Sequence, residues 1–411
     1  MPANILVLQA AHLGRHASTS AHGSHDGPFL ALSDDFKHVI GSNPTLEVIA
    51  STEGPLGGSG VSLFHEAGVW APETAGSSKG DIYITSNIVS NEDDSREIKV
   101  CRLRVKSELK AGSNTQLRAS AADSGVLVAD GVEYEDLDDV AQQVIMANGA
   151  TAYGAEILWC SQGQHLKLPK RARERLSTES QDRQPGALML TSIRDPKRPS
   201  RPLLNNFFGR EFNALNDVAV HRQSGAIFFT DPDYGIKQGF KNPSQLPNGV
   251  WRFEPSTGSL SMVADGIQKP NGVVCSPDGK TCYVTDTDFI HGDGSMDPTR
   301  PGTIYAFDIV GDRAPLLQNK RVFALVDCGA PDGIKCDEAG NIYTGTFEGV
   351  NVYAPSSELL GKILLPRDSH GQQRGCANLV FGPSGVLFLL SETAVFAAHI
   401  AASGDLKGVG L

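Results

Sequence analysis

One phrase recurs six times along this chain, and it restricts the fold more than any other feature of the sequence. Each copy is a small loop carrying Asn, Asp or Glu, then two to four apolar residues, a polar turn usually containing Gly, and a strand-like run. The copies open at Glu66 (HEAGVWAPETAGSSKGDIYITSN), Asn148 (ANGATAYGAEILWCSQG) and Asn216 (LNDVAVHRQSGAIFFTDPDYG). They continue at Asn271 (PNGVVCSPDGKTCYVTDTD), Asp332 (PDGIKCDEAGNIYTGTFEG) and Asn378 (ANLVFGPSGVLFLLSE). Their offsets of 82, 68, 55, 61 and 46 residues are too uneven for a strict solenoid. They suit four-stranded blades with loops of different length. Each phrase reads as a hairpin, because β-branched and aromatic residues flank a Gly-containing turn.

Six phrases predict an all-β fold, a six-bladed β-propeller of four-stranded blades around a central metal-binding channel. Only a radial fold lets residues spread over more than 300 positions converge on one point. Helical periodicity is absent apart from a short stretch around Asp136 to Ile145, which argues against a parallel α/β fold. Strand-like runs at Phe29 to Ala50 and Thr393 to Ile400 are expected to pair in one blade and seal the ring. Residues 1–28 read as an N-terminal extension and 29–411 as a single propeller domain. The long polar insert between Cys160 and Asn216, Leu166 to Leu204 in particular, is expected to loop over one channel mouth.

The 411 residues carry a formal net charge of −11, which argues against nucleic acid or an anionic membrane as partner. A local basic run, Lys167 to Arg175, reads as a solvated loop. No apolar run reaches the roughly 18–20 residues of a membrane span. The opening stretch lacks a basic segment and a small-residue cleavage site, so a cytoplasmic location is expected. The seven cysteines form no CxxC pair, which disfavours a zinc cluster. Oligomeric state leaves no trace in the sequence.

The residues that open the phrases are all oxygen donors. Any single Asn-Gly or Asp-Gly is by itself a turn signal tolerant of left-handed backbone. Six in register, one of them a Glu, point instead to an oxygen-rich centre suited to a hard cation. No His or Cys occupies these positions.

The phrases FHEAGVW, LLNNFFGREFNALNDV, AIFFTDPDYG, PNGVVCSPDGKTCYVTDT and PDGIKCDEAGNIY resemble the gluconolactonase/senescence-marker-protein superfamily, and within it fungal lactonohydrolases. The resemblance spans roughly residues 30 to 400. It implies that Glu66, Asn216, Asn271 and Asp332 hold one divalent cation, calcium first, with magnesium, manganese and zinc as the other ions considered. The first motif departs from the family in reading EAG where many relatives have EGP. Glu53, in TEGPLGG, has the right letters, but no strand follows it at the expected distance.

The chemistry this implies is metal-dependent opening of a lactone or related cyclic ester, a small-molecule substrate. The cation would polarise the carbonyl while Asp332 assists attack by water. His65 is the candidate proton shuttle to the leaving alkoxide. Asn148, Asn378 and Tyr234 are candidates for substrate binding, and Asp231 reads as a blade-stabilising hydrogen-bond acceptor. The alternative is an intracellular fungal biosynthetic enzyme of secondary metabolism that uses the pocket for a pericyclic or hetero-Diels–Alder cyclisation. A non-catalytic binding propeller is a third reading, against which the acidic cluster argues. No GxSxG elbow, phosphate-binding loop or HExxH motif competes with these readings.

Overall fold

The computed structural model describes residues 27–404 and Leu406, apart from 55–58, 75–76, 92–94, 110–115, 121–123 and 166–182. Its strands form six antiparallel sheets arranged as a six-bladed propeller, one blade for each repeat of the phrase. The innermost strands are Glu66–Pro72, Ala147–Tyr153, Val218–Val220, Pro270–Cys275, Ile334–Cys336 and Asn378–Phe381. Each touches the next, and Asn378–Phe381 touches Glu66–Pro72, so the ring is closed.

The second strands show why the sequence takes this form. In Ile227–Asp231 every residue is buried, although neighbouring side chains of a strand point to opposite faces. Ile227 and Phe229 pack against Leu158, Cys160 and Leu188 of the preceding blade. Phe228 packs with Cys282, Val284 and Phe307 of the following one. A blade wedged between two others needs apolar side chains on both faces, hence the continuous runs. At about 25 cal/mol per Å² of apolar surface, such sandwiching is the main stabilising term. The outermost strands lose this constraint, and Leu316–Leu325 is largely exposed.

Ring closure follows the expectation in one half only. Thr45–Ser51 pairs with Ala394–His399, from Thr45↔His399 to Ser51↔Ala394 with a register shift between Val48 and Ala50. Phe29–Ala31 instead adds a fifth strand to the preceding blade, against Leu359–Leu364. The helix of Phe36–Ile40 between the two segments carries the chain across, burying Phe36 and Val39. The helical stretch expected near Asp136 is the single turn Asp138–Ala141.

The Leu166 to Leu204 expectation needs correction. Ala187–Ser192 and Arg201–Leu204 are the third and fourth strands of the second blade, with Leu188 and Leu190 buried. The basic run Lys167 to Arg175 lies outside the described residues, as does most of the N-terminal extension. Among the described residues no helix is long and apolar enough to cross a membrane.

Candidate active site in the central channel

The six phrase-opening residues all lie at one end of the inner strands, where the backbone is irregular. The pairing of Glu66–Pro72 with its neighbour shifts register between Ala67 and Val69, and Ala67 and Gly68 both have positive φ, 67° and 66°. A bulge of this kind re-aims a side chain, and here it sits directly after Glu66. A second shift falls between Pro270 and Val273, beside Asn271. The left-handed Ala67 stores strain of roughly 1–3 kcal/mol, typical of positions held by a site.

Two devices fix the depth of these residues. The second-strand threonines reach across to the next blade. Thr85 Oγ1 donates to the Asn148 carbonyl at 3.2 Å, Thr230 to Asn271 at 2.6 Å, and Thr285 to Asp332 at 2.9 Å. The glycines that follow the openers permit that approach. A Cβ on Gly272 would lie 2.6 Å from the Asp332 carbonyl oxygen, and one on Gly149 would lie 2.5 Å from that of Asn216. Neither glycine has a positive φ. They are therefore close-packing positions inside strands, not the left-handed turn residues that Asn-Gly usually signals.

Above this layer opens a cavity of about 490 Å³, lined by His65, Glu66, Asn148, Asn216, Asn271, Asp332, Tyr234 and Glu392 among others. Glu66, Asn216 and Asn271 are 2%, 4% and 6% exposed. Asn271 Nδ2 donates to Asp332 Oδ1 at 2.8 Å, and Asn378 Nδ2 donates to Glu66 Oε2 at 2.6 Å. Asn216 Oδ1 and Asn271 Oδ1 are buried with no hydrogen-bond partner. Two orphaned amide oxygens beside two carboxylates form an incomplete electrostatic arrangement, because each buried acceptor without a donor costs about 1–3 kcal/mol.

Titration behaviour agrees with that reading. Burial, then the nearby Asp332 carboxylate, pushes Glu66 up to about 8. Burial likewise raises Asp332 to about 6, although His65 and the Asn271 amide oppose the shift. For His65 burial disfavours the charge, but the Glu392 carboxylate at 2.6 Å from Nδ1, with Glu66 and Asp332, carries it up to about 10. A divalent cation would relieve the two acids and satisfy both orphaned oxygens. Glu66, Asn216, Asn271 and Asp332 thus fit a hard divalent ion. Among the described residues no three His, Cys, Asp or Glu side chains form a metal group, so the cluster is defined by its amides and is unlike a zinc site.

The remaining candidates take different places. Tyr234 lines the cavity and its hydroxyl meets Thr287 Oγ1, which also accepts from Asn271 Nδ2 at 3.3 Å. Asn148 lines the cavity too, its Oδ1 accepting the Gly149 N–H at 2.9 Å. Asn378 is fully buried behind Glu66; its Oδ1 accepts from Leu379 N and Lys335 Nζ. Asp231 accepts the N–H groups of Asn213 and Ala214, which fixes the loop leading to Asn216. Glu53 stands apart, bound to Arg374 and Thr393.

Sequence reading missed Glu392, which partners His65 from 327 residues away. Its signal is the acid that ends LLSE, at the position where other repeats continue TD or TS. It also missed the threonine clamps, although Thr recurs in YITS, FFTD, YVTD and IYTG.

A family model described as the SMP-30/Gluconolactonase/LRE-like region matches residues 186–383. Asn216, Asn271, Asp332 and Asn378 fall inside that span, while His65, Glu66 and Asn148 precede it. Lactonohydrolase oryL of Aspergillus oryzae is 38% identical over 178 residues, 40% of this chain and 40% of that protein. A gluconolactonase of Zymomonas mobilis is 29% identical over 216 residues, 51% of this chain and 56% of that protein. The chain thus spans about half the length of these curated relatives. A solved gluconolactonase from Xanthomonas campestris superposes with a TM-score of 0.57 at 20% identity, covering 92% of this chain and 96% of that one. At that identity the likeness speaks for the fold.

Proposed function

From the premise that the chain carries a domain of the SMP-30/gluconolactonase family, we propose that it is a metal-dependent hydrolase that opens a lactone or related cyclic ester. The observation that carries this reading is the meeting of a buried carboxylate, Glu66, and a half-buried one, Asp332, with two unpartnered amide oxygens at the floor of an open cavity. Glu66, Asn216, Asn271 and Asp332 would hold one divalent cation, for which calcium is the preferred ion given a donor set made only of oxygen. When bound, the ion supplies Lewis-acid polarisation of the ester carbonyl.

The chain supplies the proton transfers. Asp332, held by Asn271 and titrating near 6, is mostly ionised at neutral pH and can take a proton from water. His65, kept protonated by Glu392, lines the same cavity and can return a proton. The water oxygen adds to the carbonyl carbon as Asp332 takes its proton. The ring C–O bond then breaks, and the departing alkoxide receives the proton of His65. Environments that push two groups apart in pKa are what assign the base and the acid here. Asn378 acts through Glu66, as its amide is spent on that carboxylate. Asn148 and Tyr234 are proposed to contact substrate from the cavity wall.

The relatives carry the names lactonohydrolase and gluconolactonase, and none supports the cyclisation alternative. The test is a panel of aldonic and aliphatic lactones assayed with calcium and with chelator. Turnover that needs calcium and vanishes in Asp332→Ala supports the proposal. Equal turnover in chelator would sink the metal-dependent form of it.

A further inference from the structure

The channel has a second mouth, and the hydrolase reading makes no use of it. Below the ligand layer the inner strands enclose a cavity of about 370 Å³, within the range of small-molecule sites. Its walls include Val69, Val218, Val273 and Val380, and among the described residues its charged lining groups are Lys335 and Arg222. In a chain of net charge −11, none of the described lining residues of this chamber is an acid.

Lys335 is the distinctive group. Its ammonium donates a hydrogen bond of 3.3 Å to Asn378 Oδ1, at the long end for an ammonium donor. Asp217, an acid on which its charge acts, has both oxygens on backbone donors, Oδ1 on Val218 N and Oδ2 on Val273 N. Among the described residues Lys335 forms no contact ion pair. A half-buried ammonium that faces a largely apolar chamber, with Asp217 already spent on backbone donors, gains from an anion placed in that chamber.

We infer that this lower cavity is a binding site for a small amphipathic monocarboxylate, its carboxylate on Lys335 and its hydrocarbon part against the valine walls. A neutral ligand of the same shape would gain the apolar contacts and leave the ammonium uncompensated. A polyanion would gain the charge and waste the valines.

The test uses the full chain saturated with calcium, with labelled valine and isoleucine methyl groups followed by NMR. Hexanoate and hexanamide are titrated separately. Hexanoate is expected to shift the methyls of Val69, Val218, Val273 and Val380 saturably and to leave Ile290, at the opposite mouth, unmoved. It should bind roughly tenfold tighter than hexanamide, the ratio set by one charge-assisted hydrogen bond. Lys335→Gln should erase that preference and Lys335→Arg should keep it. The inference is overturned by equal affinities, by no saturation up to about 10 mM, or by shifts centred on Ile290. It is also overturned if Lys335→Gln retains the preference.

Discussion

The two ends of the channel are built by the same six strands, a few residues apart, and they have opposite character. Among the described residues, the upper chamber is lined by Glu66, Asp332 and Glu392 and by no Lys or Arg. The lower one, among the same residues, is lined by Lys335 and Arg222 and by no Asp or Glu. Asp332, two residues before the strand Ile334–Cys336, and Lys335 within it line different chambers. In a propeller the radial arrangement repeats, so the chemistry of a whole chamber is set at one position per blade. What separates the chambers is a single layer of tightly apposed backbone, with Gly149 and Gly272 at the contacts.

The sharpest way to break the comparison is to remove the upper chamber's chemistry. Asp332→Ala should lower kcat on a responsive lactone by roughly 10²–10⁴-fold, the range for losing a positioned general base. An unchanged circular dichroism spectrum would show that the blades persist. A loss smaller than tenfold would move the base elsewhere, with Glu392 the next residue to test.

Metal binding is the second lever. Calcium at a hundred times its dissociation constant should stabilise the fold by about 2.7 kcal/mol, read as a rise in Tm. Glu66→Gln should abolish that rise. In chelator the sign reverses, because Glu66 titrates near 8 in the folded chain against 4.5 for its ordinary value. The folded state then binds more protons than the unfolded one between those values, so metal-free stability falls as pH rises from about 4.5 to 8. Glu66→Gln should reduce that slope, leaving the share of Asp332 and His65, whose raised values act in the same direction, and calcium should mask the Glu66 share; thermal melts at pH 5 and pH 8 measure both.

The layer between the chambers is the third. A Cβ at Gly272 must displace the Asp332 carbonyl, and overpacking of this kind costs about 1–3 kcal/mol. Gly272→Ala should lower Tm and weaken calcium binding together. Gly258→Ala, with open space around the added carbon, should leave calcium binding intact. Its φ of +71° predicts a small loss of stability from backbone strain alone.

These elements were unequally legible beforehand. Six blades could be read because the phrase repeats locally, whatever the loops do. Asp332 and Asn271 stood out with four other residues because each opens a phrase, and the family resemblance chose among the six. The role of the glycines could not, because Asn-Gly advertises a turn and only the neighbouring strand shows that Gly272 is a contact. Glu392 was invisible for a similar reason, since its partner His65 meets it only through ring closure. Ala187–Ser192 was hidden by the polar residues before it, although ALML has the apolar density of a blade strand. Phe29–Ala31 carried no mark of which blade edge it would join. Local pattern thus revealed the blades, and pairing between distant segments determined the rest.

The smallest expected effect tests whether the chambers communicate at all. Lys335 Nζ reaches Asn378 Oδ1, and Asn378 Nδ2 in turn donates to Glu66 Oε2. The ammonium polarises the amide, which strengthens its hold on the carboxylate. Lys335→Gln keeps a donor of similar reach but removes the charge. It should weaken calcium binding by about 0.5–1.5 kcal/mol, the net worth of one hydrogen bond, a few-fold in Kd by calorimetry. Asn378→Leu removes the link itself and should weaken calcium at least as much. In the Asn378→Leu background, Lys335→Gln should then change calcium affinity no further. If the two losses simply add, the chambers are independent, and their opposite charge is a matter of separate sites sharing six strands.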